Sequence, residues 1–161
     1  MILQGIAQRD SSGGGIVSHR FLDQALYETP PARHAIEVRL YCENPASDFK
    51  PSPGVLQQVT FPNAEWLRVD SWVETGTTIT PYFDPLACKL IATGSTREEA
   101  IERLREALDR TEMYGPPNNV QYLRAVCASE SFRSGGATTT FLNTFAFVPR
   151  SCYSFMLIAL H

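Results

Sequence analysis

From residue 35 to residue 42 the chain alternates, with Ile36, Val38, Leu40 and Cys42 on one side and Ala35, Glu37, Arg39 and Tyr41 on the other. A period of two is the mark of a strand with one buried face. It places Glu37 and Arg39 together on the non-core face, which is either a solvated sheet surface or the wall of a polar site. Pro51-Ser-Pro-Gly54 reads as a tight turn or rigid connector. Alternation resumes over 55–61 (Val55, Gln57, Val59, Phe61) and again over 67–73, where Leu67, Val69 and Val73 oppose Arg68, Asp70 and Trp72. Thr75-Gly76 is the next turn. Residues 85–93 are almost continuously apolar apart from Lys89, the pattern of a strand covered on both faces. Four strands within about sixty residues leave connections too short for helical crossovers, so antiparallel pairing is expected.

The period then changes from two to 3.6. Thr96 and Glu99 have the spacing of a capping box, and Ala100, Ile101, Leu104, Ala107 and Leu108 form one apolar stripe. Glu99/Arg103 and Glu106/Arg110 fall at i,i+4 on the opposite face, which is read as solvated. Gly115-Pro-Pro117 ends this helix. Asn118 or Asn119 can cap a second one over 120–129, with Leu123, Val126 and Cys127 as its core residues. Ser134-Gly-Gly136 is a loop. Residues 138–147 form a short helix or extended segment whose Phe141, Phe145 and Phe147 are read as packing anchors. The fold class is therefore α+β: a small, mainly antiparallel sheet of about four strands followed by two or three helices packed on one of its faces.

At 161 residues the chain can build one hydrophobic core, and its net charge of −3 offers no basic footprint for nucleic acid or acidic membranes. Cys42, Cys88, Cys127 and Cys152 are far apart, with no metal-like spacing to His19, His34 or His161. Reduced thiols in a cytoplasmic protein are expected. No run reaches the roughly 18 apolar residues of a membrane span.

The two ends differ from the middle. Ser11-Ser-Gly-Gly-Gly15 lacks the lysine and the preceding strand that a phosphate loop needs. Residues 21–27 have the pattern of a short helix stopped by Thr29-Pro-Pro31. Residues 151–161 end in an apolar run that must dock on a core to avoid aggregation. The expected layout is an atypical segment over 1–33, a domain over 34–148 and an atypical tail over 149–161.

His34-Ala-Ile-Glu-Val-Arg-Leu-Tyr-Cys-Glu-Asn-Pro45, continued by Phe49-Lys-Pro-Ser-Pro-Gly54, resembles the opening of the C-terminal domain of biotin carboxylase. The resemblance keeps its order and spacing through Arg68-Val-Asp-Ser71, Gly76, Pro81-Tyr-Phe-Asp-Pro85, Lys89-Leu-Ile91 and the helix over 96–108, to about Phe147. Within that family, Glu37-Val-Arg-Leu-Tyr41, Trp72-Val-Glu-Thr-Gly76, Thr78-Ile-Thr-Pro-Tyr-Phe-Asp84 and Thr139-Thr-Phe-Leu-Asn-Thr-Phe145 with Val148-Pro149 look most like the urea carboxylase (urea amidolyase) branch; the acyl-CoA and pyruvate carboxylases are the alternative.

The resemblance implies a two-stage reaction. ATP, Mg and bicarbonate serve to carboxylate biotin carried on a separate domain, and the carboxyl group then passes to the acceptor. Arg39 falls on the family's strand arginine, which stabilises the enolate-like ureido oxygen of biotin. A guanidinium suits that task because it offers several donors in a fixed fork and keeps its charge. Glu37 would orient it; the alternative is a surface pair worth under about 1 kcal/mol. Arg68 matches a subunit-interface position and is a candidate contact in a homodimer, or an ordinary exposed strand residue. Asp84 is expected to fix the loop before the last strand and Lys89 to pair with an acid, while His34 caps or packs.

The ATP-grasp motifs of the family do not occur in residues 1–33. The chain is therefore expected to be a fragment that does not bind ATP productively by itself, with the ATP-grasp and biotin carrier domains as its partners. Its two ends are read as products of a truncated or mis-spliced gene. A non-catalytic structural or dimerisation module pairing with a full carboxylase, and an unrelated small α+β domain, are the competing readings.

Overall fold

The computed structural model describes residues 33–149. The glycine-rich run at 11–15, the helix expected over 21–27, Cys152 and the apolar tail lie outside the described residues.

Two of the alternating segments and the apolar run form expected strands. β1 (His34–Tyr41), β6 (Leu67–Ser71) and β8 (Leu86–Gly94) make a three-stranded antiparallel sheet in the order β1-β8-β6. Register fixes two faces. On one, Val38 and Val69 lie opposite Leu90, Ile36 and Leu67 opposite Ala92, and Leu40 and Ser71 opposite Cys88. On the other, Arg39 and Asp70 lie opposite Lys89, and Glu37 and Arg68 opposite Ile91.

α1 (Arg97–Arg110) packs on the first face, running along β8 and touching β1 and β6. Its buried residues are the five of the apolar stripe, Ala100, Ile101, Leu104, Ala107 and Leu108. The Thr96 hydroxyl accepts from the Glu99 amide at 3.1 Å, and Glu99 Oε2 accepts from the Ser95 amide. Small residues let the helix approach the sheet. A Cβ on Gly94 would lie 2.6 Å from the Ala100 nitrogen. Leu40, Leu90, Leu104 and Leu108 are fully buried between the layers, each contributing about 1.5–3 kcal/mol of apolar transfer.

α2 (Val120–Ala128) buries Val120, Tyr122, Val126 and Cys127 against α1 and the edge of β1. It is not capped by the side chain of Asn119. Asn118 takes that role, its Oδ1 accepting from the Val120 amide at 3.2 Å. α3 (Glu130–Arg133) and α4 (Phe141–Thr144) are single turns. Arg133 of α3 pairs with Glu98 and Glu102 of α1 and fastens the two together. Phe145 and Phe147 meet the Tyr122 ring edge-on, and Phe49 closes on it from the loop after β1, so these aromatics are packing anchors.

The segment 55–61 departs from expectation. It is not one strand but two short ladders: β4 (Gly54–Val55) pairs with β7 (Thr78–Ile79), and β5 (Gln58–Thr60) pairs with β9 (Glu112–Tyr114). Val55 is exposed, whereas Leu56 is fully buried. The phase slips because the chain changes partners there: Leu56 N–H bonds Thr77 O and Gln57 N–H bonds Tyr114 O. β2 (Glu43–Asn44) and β3 (Lys50–Pro51) form the remaining ladder. β8, expected to be covered on both faces, is covered by α1 on one, while Leu86, Lys89, Ile91 and Thr93 stay half-exposed. Its near-continuous apolar run reflects its central place between two strands.

Candidate functional site

The face of the sheet turned away from α1 is lined with charge. Pleating brings Glu37 and Arg39 of β1 to the same side, as the alternation requires, and Arg39 Nε donates to Glu37 Oε1 at 3.3 Å. The Arg39 and Glu37 side chains are 55% and 42% exposed, so the pair is open to water and contributes little to stability. The Tyr41 phenol stands beside them. The neighbouring Tyr41 phenol, and secondly the Glu37 carboxylate, hold the Arg39 guanidinium above its ordinary value.

Cross-strand register extends the face. Lys89 lies between Arg39 and Asp70 in one row, and Ile91 between Glu37 and Arg68 in the next. Arg68 Nε and Nη2 grip Asp70 Oδ1 and Oδ2 at 2.8 and 2.9 Å. This bond, with a smaller effect of Lys89, pulls the Asp70 carboxyl below its usual range. The face thus presents three cations against two carboxylates. A flat surface of this kind can hold an oxyanion from one side through donors that keep their protons.

Asp84 Oδ1 accepts from the Leu86 amide at 3.0 Å and so fixes the loop entering β8. Beside it, Tyr82 and Phe83 are strongly exposed, and Trp72 donates its indole N–H to Leu86 O. His34 is the half-buried first residue of β1, opposite Gly94. A cleft of about 540 Å³ lined by Asn44, Thr111, Met113, Asn118 and Arg124 does not include Arg39 or Glu37. Among the described residues no group of His, Cys, Asp and Glu could hold a metal ion, and no helix is long and apolar enough to cross a membrane.

One residue of the site was not singled out by pattern. Asn119, 6% exposed, reaches the free edge of β1 at Arg39 and Tyr41. It is separated from them by 78 to 80 positions, and its only local signal was a cap preference after two prolines.

Fold and face together define a small α+β domain, one side of whose sheet is covered by a helix and the other lined with charge. Residues 37–144 match the biotin carboxylase C-terminal domain. The chain belongs to that family. The urea amidolyase of Lachancea kluyveri is 45% identical over 115 residues, which are 71% of this chain and 6% of that protein. The crystal structure of the Kluyveromyces lactis urea carboxylase matches with 43% identity and a TM-score of 0.68, over 71% of this chain and 10% of that one. A biotin carboxylase domain dimer of the Hydrogenobacter thermophilus 2-oxoglutarate carboxylase, in complex with MgADP, ADP and bicarbonate, matches with 34% identity and a TM-score of 0.66, over 68% of this chain and 24% of that one. The chain therefore spans a small part of these relatives. The branch favoured by the sequence motifs is that of the relatives at 43 and 45% identity.

Proposed function

We propose that this chain supplies one wall of the biotin carboxylation site of a urea-carboxylase-type enzyme. The observation that carries the reading is the placement of Arg39: on the open face of β1, braced by Glu37 and in register with Lys89. Arg39 would hold the ureido oxygen of biotin by hydrogen bonds from a guanidinium that keeps its charge, and Glu37 would fix the direction of the guanidinium fork. When bound, biotin would supply the nitrogen that carries the carboxyl group, presented on a separate domain. ATP, Mg and bicarbonate are handled by an ATP-grasp domain against which the charged face is set. Neither step is completed by this chain alone.

Urea is the acceptor favoured by the two relatives at 43 and 45% identity, against 34% for the 2-oxoglutarate carboxylase domain. Arg68, on the outer strand β6, is the proposed contact to a second copy; its side chain is 75% exposed. The described relative that forms a dimer supports this arrangement. A cytoplasmic location is part of the same proposal.

The test is a chimaera of the K. lactis urea carboxylase in which residues 34–148 of this chain replace the matching domain. Bicarbonate-dependent, urea-stimulated ATP cleavage is expected to return. The acceptor is chosen by the remaining domains of the host, so the same insertion is made in a pyruvate carboxylase; restoration of ATP cleavage there and not in the urea carboxylase would move the chain to another branch. A folded chimaera that cleaves no ATP would favour a purely structural or dimerising module.

A further inference from the structure

β1 is the edge strand of its sheet, so the backbone groups of Arg39 and Tyr41 point away from β8 towards an unpaired side. An open edge there would leave the strand free to shift. Asn119 occupies it. Its amide N–H donates to Tyr41 O at 3.1 Å, its Oδ1 accepts from the Tyr41 N–H at 3.0 Å, and its Nδ2 donates to Arg39 O at 3.1 Å. Three hydrogen bonds from one buried residue thus reproduce the pairing that a neighbouring strand would give.

The placement coincides with an irregularity. The β1–β8 ladder slips by one residue between Leu40 and Tyr41, where Leu40 faces Cys88 but Tyr41 faces Leu86. Regular pairing to β8 is therefore interrupted after Leu40, and the clamp from the other side lies across the interruption. The slip lies one residue beyond Arg39, so β8 holds the strand regularly only up to Leu40, and the bonds that Asn119 makes on both sides of the slip fix the backbone at Arg39 O and Tyr41 N–H. Asn119 is itself held, because it begins α2, whose Val120, Tyr122, Val126 and Cys127 are buried.

We propose that Asn119 is a positioning residue for Arg39: by bonding Arg39 O and Tyr41 N–H at the interrupted edge of β1, it sets the direction in which the guanidinium leaves the sheet. The proposal rests on the reading of Arg39 given above. Asparagine suits the task where its relatives do not. Aspartate keeps the acceptor for Tyr41 N–H but sets a second acceptor against Arg39 O, and alanine supplies neither bond.

Two measurements decide it. In the full 161-residue chain, amide exchange followed by NMR is expected to speed up by at least about tenfold at Tyr41 in Asn119→Ala, which removes the acceptor of that amide. Leu40, whose amide faces β8, is expected to keep its protection. Unchanged exchange at Tyr41 overturns the clamp. In the chimaera, Asn119→Asp is expected to lower kcat/KM for carboxylation by about tenfold, since small misplacements of a reacting group cost rate steeply. The same substitution added to Arg39→Ala is expected to cost nothing more. An equal loss in both backgrounds, or none in the first, overturns the positioning role. If Arg39→Ala alone leaves the rate intact, the Arg39 reading fails instead, and the exchange data show whether the clamp exists without it.

Discussion

Gly115 sits at φ +134°, and a Cβ added there would lie 2.3 Å from Val55 O, against the backbone that links β4 to β5. Gly76, at φ +93°, has nothing within 4 Å of the same position. Both pay for a side chain in backbone strain, but only Gly115 also meets another chain segment. Gly76→Ala is expected to cost about 1 kcal/mol and Gly115→Ala more than about 2 kcal/mol in urea unfolding. Equal losses would show that Gly115 is needed for its φ alone. The thiols give a second prediction at this scale. Burial pushes the Cys42 and Cys127 thiols up to about 11 and, with the nearby Cys42 adding to it, the Cys88 thiol up to about 12. Only thiolates alkylate readily, so all three are expected to resist iodoacetamide at about pH 8 until the chain is unfolded. Modification of any of them in the native protein, read by peptide mass, would contradict the packing described for the core.

At the scale of elements, α1 carries its own instructions. Stripe, cap and charge pairs lie within a few residues of one another, so its extent and buried face were legible before any partner was known. Thr96→Ala is expected to cost about 1 kcal/mol by leaving the Glu99 amide without its acceptor. Glu99 makes the same helix start sensitive to acid. Its bond from the Ser95 amide, chiefly, and the nearby Arg103 lower its pKa below the ordinary 4.5. The stabilisation is therefore complete above that value and disappears as pH falls through the lower folded one. The urea midpoint should fall between about pH 6 and pH 3, and Glu99→Gln should flatten that part of the fall. An identical pH dependence in the variant would remove Glu99 from the account. The segment 55–61 shows the opposite case. Its alternation is real, but the exchange of β7 for β9 as partner sits between Leu56 and Gln58, and those partners lie some 20 and 55 residues away in the chain. Nothing local records that change.

The whole molecule has one covered sheet face and one open one. The pair of Glu37 and Arg39 was legible because a period of two places neighbours on one side, whatever the rest of the chain does. The row that continues through Lys89 to Asp70 was not, since it depends on a register set by α1 packing on the far face. The Asn119 clamp was even less so, because it joins the start of α2 to an edge strand about 80 residues earlier. The aromatic cluster of Phe49, Tyr122, Phe145 and Phe147 gathers equally distant parts and holds α2 in the place from which Asn119 reaches β1. Helix, cluster and clamp are thus arranged behind a strand whose exposed side carries Glu37 and Arg39, the proposed site. The most direct test of that arrangement is the rate of bicarbonate-dependent biotin carboxylation in the chimaera, measured for Arg39→Ala beside Arg110→Ala on the wet face of α1. Arg39 is exposed, so its loss should leave the melting temperature nearly unchanged while lowering kcat about 10²–10³-fold, and Arg110→Ala should leave both unaltered. A folded Arg39→Ala chimaera working within about twofold of the parent rate would contradict the account, because an oxyanion donor cannot be dispensed with at so small a loss.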